Sequence, residues 1–237
     1  MNAKRIATMI LWAGLAAGGY ADHRSYVWTY EYLTMPAGTA EIEYYFTAKV
    51  PDSSVSKAST WEHQGELEYG LTDNWDLSMY QTWKQSFSTN AASFKYEGFK
   101  LRTRYKLFKS GAFLVDPVLY LEYIRKAGLE QANVLEGKLI VAKDIGKVNL
   151  AYNAIVKSEL ESGGETEHEY AAGVNYDLPA GLSLGLESKG NYTENAYAVG
   201  PTVSVETGPF WVTAGALLGV NDRADDLQAR MLAGFGF

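Results

Sequence analysis

Thr39-Ala-Glu-Ile-Glu-Tyr-Tyr-Phe-Thr-Ala-Lys49 alternates along its whole length: Ala40, Ile42, Tyr44, Phe46 and Ala48 share one parity, and Glu41, Glu43, Tyr45, Thr47 and Lys49 the other. Successive side chains of a strand point to opposite faces, so this period of two describes a strand with one apolar and one largely polar face. The same rhythm recurs over 59–71, 75–85, 94–107, 113–125, 132–144, 148–158, 166–178, 182–190, 196–206, 210–220 and 227–237, predicting about twelve strands. Seventeen Tyr, 23 Gly and 14 % aromatic residues favour strands and tight turns over helices.

The connections between these strands alternate in character. Thr72-Asp73-Asn74, Lys109-Ser110-Gly111, Ile145-Gly146-Lys147, Pro179-Ala180-Gly181 and Gly208-Pro209 read as tight turns. Looser segments lie between them at 50–58, 86–93, 126–131, 160–165, 191–195 and 221–226. Short periplasmic turns alternating with longer extracellular loops are the habit of a membrane barrel with both termini in the periplasm.

A soluble sandwich also alternates, with its apolar face turned inward. Strands of about ten to thirteen residues exceed the usual five or six, however, and match a membrane crossing. An interior that about eight strands can already fill would be left void in an apolar-cored barrel of twelve. The expected fold is therefore all-β: a closed antiparallel transmembrane β-barrel of about twelve strands over residues 38–237, both termini periplasmic.

The final strand, Leu227-Gln-Ala-Arg-Met-Leu-Ala-Gly-Phe-Gly-Phe237, resembles the C-terminal assembly signal of bacterial outer-membrane proteins through Phe235 and Phe237. The chain also resembles the MetA-pathway phenol-degradation family of outer-membrane transporters. Glu31-Tyr-Leu-Thr-Met-Pro-Ala-Gly38, Tyr69-Gly-Leu-Thr-Asp-Asn-Trp75 and Leu121-Glu-Tyr123 carry that likeness, over about a tenth of the chain. It implies passive passage of small solutes, including aromatic ones.

Lys4 and Arg5 precede an apolar run from Ile6 to Ala17 and a small-x-small site at Gly19-Tyr20-Ala21. About a dozen apolar residues are too few to cross a bilayer as a helix, so 1–21 reads as a signal peptide cleaved after Ala21. Its removal takes the net charge from −7 to −9, which argues against nucleic acid as a partner. The chain has no Cys, in keeping with passage through an oxidising periplasm without disulfides. Residues 22–37, with Tyr26, Trp28, Tyr30 and Tyr32 on one parity, are expected to form a periplasmic segment or partial plug. The expected partners are outer-membrane lipid and lipopolysaccharide, the barrel-assembly machinery and a small-molecule solute, with no cofactor.

If the apolar parity meets lipid, Trp61, Leu67, Tyr69, Trp75, Leu77, Met79, Trp83, Leu101, Tyr105, Tyr123, Tyr152, Tyr170, Tyr176, Tyr197, Phe210 and Phe237 face outward, many at strand ends as in aromatic girdles. The other parity brings Glu41, Glu43, Glu66 and Glu68 into the lumen, facing a basic stripe of Lys100, Arg102, Arg104 and Lys106. Asp116, Glu122, Glu136, Lys138, Lys157, Glu187, Lys189 and Arg230 continue the set. The basic stripe either lines a constriction that favours anions or closes a narrow lumen with ion pairs.

Catalysis finds little material. His23, His63 and His168 are the only histidines, and no Gly-x-Ser-x-Gly pattern occurs. A rim enzyme would have to gather His168 with Glu165, Glu167, Asp222, Asp225 and Asp226, residues that also read as ordinary solvated loops. No metal site is expected, because Glu167, His168 and Glu169 alternate sides of a strand. The reading is a passive, porin-like outer-membrane transporter with no catalytic residues, the alternatives being a non-conducting structural barrel and a rim enzyme.

Overall fold

The computed structural model describes residues 22–55, 58–88 and 91–237. The predicted signal peptide lies outside them. Twelve strands follow in order: β1 Ala40–Val50, β2 Ser59–Thr72, β3 Trp75–Ser88, β4 Ala91–Lys106, β5 Asp116–Lys126, β6 Val134–Ile145, β7 Val148–Glu159, β8 Thr166–Asp177, β9 Leu182–Asn191, β10 Ala196–Thr207, β11 Phe210–Gly219 and β12 Leu227–Gly236. Each pairs antiparallel with its sequence neighbour, and β1 pairs with β12, closing the barrel. The amides of Ala40 and Phe237 donate to each other's carbonyls at 3.0 and 2.8 Å, so the barrel's two ends of chain meet at one rim.

The barrel is polar inside and apolar outside. On β1, Glu41, Glu43, Tyr45 and Thr47 are buried, whereas Ile42 is 54 % exposed and Tyr44 43 %. Leu67, Tyr69, Trp75, Leu77, Met79, Leu101, Tyr105, Tyr152, Tyr176 and Phe210 are likewise exposed on the outer face. The C-terminal aromatics pack there too, with the Phe235 ring 4.6 Å from Phe210 and 6.0 Å from Phe237. Among the described residues closure leaves no unpaired sheet edge, which is the condition for strands to sit in hydrocarbon.

Two connections differ from the expected alternation. β3 and β4 run on to Ser88 and back from Ala91, shortening the loop expected at 86–93. At the opposite rim, the turn expected at Lys109-Ser110-Gly111 is part of a nine-residue connection, 107–115, between β4 and β5. The extension of β4 depends on a β-bulge: Thr82 pairs with Gly98 but Trp83 with Tyr96, leaving Glu97 as an extra residue. Gly98 has φ 132°, and a Cβ there would lie 1.9 Å from the Arg125 carbonyl oxygen, so only glycine fits. The bulge exchanges the inward and outward parities of β4, which is why Phe94 and Tyr96 face outward above an inward Arg102 and Arg104.

Candidate functional site: a lumen crossed by a strap

Pairing of β1 with β2 sets Glu41 opposite Glu68 and Glu43 opposite Glu66, two like-charged pairs that would destabilise the sheet if left alone. β4 supplies the compensation. Arg102 bonds to Glu66 at 3.0 Å, to Glu68, and to the Tyr80 hydroxyl at 2.6 Å. Arg104 bonds to Asp76 at 2.7 Å, to Asp22 at 2.6 Å, and to Glu68. The Tyr45 hydroxyl lies 2.6 Å from both Glu43 and Glu66. Glu43, Glu66 and Glu68 bring carboxylate oxygens within 4.8 Å of one another, close enough for a cation, but Arg102 already holds two of them.

Nearer the rim of the longer loops, Lys100 pairs with Glu122 at 3.5 Å, Lys138 with Glu136 at 2.8 Å, and Lys157 with Glu169 at 2.8 Å. Asp116, at the opposite rim, takes Lys143 at 3.5 Å and the Gly111 amide at 2.6 Å. Lys106 lies over the Tyr32 ring, and Arg230 over those of Tyr45 and Trp28. The acidic and basic stripes thus meet, and Arg102 and Arg104 are each only 2 % exposed.

Residues 22–35 run inside the barrel. Their partners stand on β1, β3, β4, β7, β9, β10 and β11, which only a segment within the lumen can reach together. Glu187 of β9 is the central anchor. Its carboxylate accepts the successive amides of Val27 (3.1 Å), Trp28 (2.8 Å) and Thr29, and no side-chain cation lies within 4 Å among the described residues. Consecutive amides turned toward one anion form a nest, which neutralises a buried carboxylate without a counter-ion.

Asn153 of β7 adds a two-way lock: its amide nitrogen donates to the Tyr30 carbonyl at 2.8 Å, and its oxygen accepts the Tyr30 amide at 2.7 Å. The strap also braces itself. The Ser25 amide donates to Glu31 at 2.8 Å, and the Arg24 guanidinium lies 4.1 Å from the centre of the Tyr30 ring. Tyr26 is fully buried against Gly173, where a Cβ would come within 2.3 Å of the ring.

Burial without full compensation raises the Glu31 carboxyl to about 7. Burial also holds the His23 imidazole below its ordinary 6.5, against the opposing pull of Glu206, Asp22 and Asp177.

The strap lies between two of the lumen's cavities. One, of about 250 Å³, opens toward the longer loops and includes Trp28, Lys49, Lys100, Lys189 and Arg230 in its lining. The other, of about 180 Å³, lies toward the opposite rim between His23, Glu31, Asp116 and Asp177. In the first, Lys100, Lys138 and Lys157 are paired with carboxylates, whereas Lys49, Lys189 and Arg230 have none within 4 Å among the described residues. Of the histidines, His63 bonds to Tyr44 on the outer face, His168 is exposed, and His23 meets Ser204 within the lumen.

No family model and no curated protein sequence matches the chain, so the resemblance to the MetA-pathway family stands on its three short motifs. Solved structures do match. An outer-membrane channel from Pseudomonas putida F1 is 12 % identical, with a TM-score of 0.62 over 87 % of this chain and 98 % of that one. The KdgM porin, solved in complex with disordered oligogalacturonate, is 13 % identical, with a TM-score of 0.53 over 83 % of this chain and 98 % of that one. The NanC porin is 9 % identical, with a TM-score of 0.55 over 84 % of this chain and 98 % of that one. These likenesses establish the closed antiparallel barrel as a fold shared with outer-membrane channels and porins.

Proposed function

We propose that the protein is a passive outer-membrane channel for small anions, held narrow by its strap. The reading rests on one observation above the others: a closed barrel whose outside is apolar encloses charged, water-facing cavities on both sides of a single inserted segment. Hydrocarbon outside and water inside suit that distribution, and an aqueous sheet protein would reverse it. Lys49, Lys189 and Arg230 leave the outward cavity with positive charge not cancelled by a contacting carboxylate, which favours anions by the field that charged rings exert in pores. Arg102 and Arg104, which the sequence offered either as a constriction or as ion-pair partners, are buried in pairs with Glu66, Glu68 and Asp76 of the barrel wall, so the anion preference is proposed for the three cations without such pairs.

The test is a planar-bilayer recording in a salt gradient. The native protein should show a reversal potential on the anion-selective side, shifted toward zero in the Lys49→Gln, Lys189→Gln, Arg230→Gln triple variant. An unchanged potential removes these residues from selectivity, and a silent bilayer with both the native protein and a strap-deleted variant overturns conduction itself.

A further inference from the structure

Asp22 is the first residue after the expected cleavage site, and its backbone nitrogen is 2.7 Å from Glu41 Oε2. Both residues are buried, at 4 % and 0 % exposure. The other Glu41 oxygen accepts the Trp211 indole N–H, and among the described residues no side-chain cation lies within 4 Å of this carboxylate. Glu66, Glu68 and Asp76 differ, since each has a guanidinium partner. The surrounding cluster is also short of positive charge: Asp22, Glu41, Glu43, Glu66, Glu68 and Asp76 stand against Arg24, Arg102 and Arg104.

We propose that cleavage between Ala21 and Asp22 creates an α-ammonium group that ion-pairs with Glu41, making the processed N-terminus a working part of the docked strap. Hydrolysis of the Ala21–Asp22 peptide bond consumes one water, giving Ala21 a carboxylate and Asp22 an amine that is protonated near neutral pH. At the observed distance, a neutral amide donor becomes a charge-assisted one facing an otherwise unpaired buried carboxylate. Asp22 then presents both signs, its amine to Glu41 and its carboxylate to Arg104. Docking in the lumen is thereby tied to correct removal of the leader. The inference rests on strap geometry, not on conduction, and its test reads docking alone.

Trypsin offers that readout, because Arg24 is the only Lys or Arg between Asp22 and Ala48. Cleavage after it requires the strap to leave the lumen and yields a chain beginning at Ser25. Protein purified from outer membranes should have an intact mass starting at Asp22; any other start overturns the proposal. Inserting one Gly between Ala21 and Asp22, so that the mature chain begins Gly-Asp, should speed trypsin cleavage about tenfold, and Glu41→Gln should do the same.

Combined, the two changes should add little to either alone, as a shared interaction demands. Multiplicative effects, or no effect of the extension, refute the pairing. The extension leaves the barrel sequence untouched, so it decides the matter even if Glu41→Gln fails to assemble.

Discussion

Replacing Glu187 by Ala should release the strap. Glu187 is fully buried and accepts three consecutive strap amides, so its loss leaves Val27, Trp28 and Thr29 with donors facing an empty position in the wall. A hydrogen bond to a charged group contributes about 1.5–3 kcal/mol, and each buried donor left unpaired costs roughly 1–3 kcal/mol. Water can enter the space left by the truncated side chain, so the low end applies, about 3–5 kcal/mol in all. At about 1.4 kcal/mol per decade, this raises the undocked fraction by roughly 10²- to 4 × 10³-fold.

Two assays read it independently. Trypsin cleavage after Arg24 should accelerate by that factor, up to the rate of a freely exposed strap, and single channels should spend more time in a larger-conductance state. Wild-type behaviour in both, in a variant that still assembles as a barrel, would show that the amide nest does not hold the strap.

Three further outcomes follow from the same geometry. Glu31 is pushed up to about 7 when docked, so its contribution to docking is complete below its ordinary 4.5 and fades as pH rises through 7; channels should be more closed at pH 5.5 than at pH 8. Glu31→Gln should abolish that alkaline opening and leave the contribution of His23, whose lowered value gives docking strength above 6.5 that is lost as pH falls; a Glu31→Gln variant with the native pH–current curve would contradict this. Gly173→Leu should drive a side chain into the Tyr26 ring, cost about 1–3 kcal/mol of docking, and speed trypsin cleavage roughly ten- to hundredfold, with an unchanged rate counting against the packing described.

The barrel was legible because alternation is local. Thr39–Lys49 declares both its faces in eleven residues, and pairing β1 with β2 then carries Glu41, Glu43, Glu66 and Glu68 to one place with nothing more than parity. The bulge at Glu97–Gly98 was not legible. Alternation reads continuously through apolar Phe94, Tyr96, Phe99 and Leu101 only if one extra residue is allowed, and Gly98 is the sole signal of it.

The strap is the harder case. Tyr26, Trp28, Tyr30 and Tyr32 share a parity, but they do not form one face of a strand: Tyr26 reaches Asn149 of β7, Trp28 lies beside Lys189 and Arg230, and Tyr30 stacks under Arg24. What holds it is a carboxylate 158 to 160 positions away capturing backbone amides, an interaction that leaves no mark on the side chains of residues 27–29. Nor does charge spacing show which of the available acids Arg104 will take, since Asp22, Glu68 and Asp76 converge on it only when the barrel closes.

The most direct test of the inside-out barrel is a nitroxide scan along β1 in lipid vesicles, simplified because the chain has no native Cys. Single cysteines introduced in turn at Glu41 through Ala48 and spin-labelled should alternate in oxygen accessibility. Labels at Ile42, Tyr44, Phe46 and Ala48 should be strongly relaxed by lipid-dissolved oxygen, and those at Glu41, Glu43, Tyr45 and Thr47 shielded from it. A flat profile, or the opposite phase, would contradict a sheet that turns its apolar residues to hydrocarbon and its charges to the lumen.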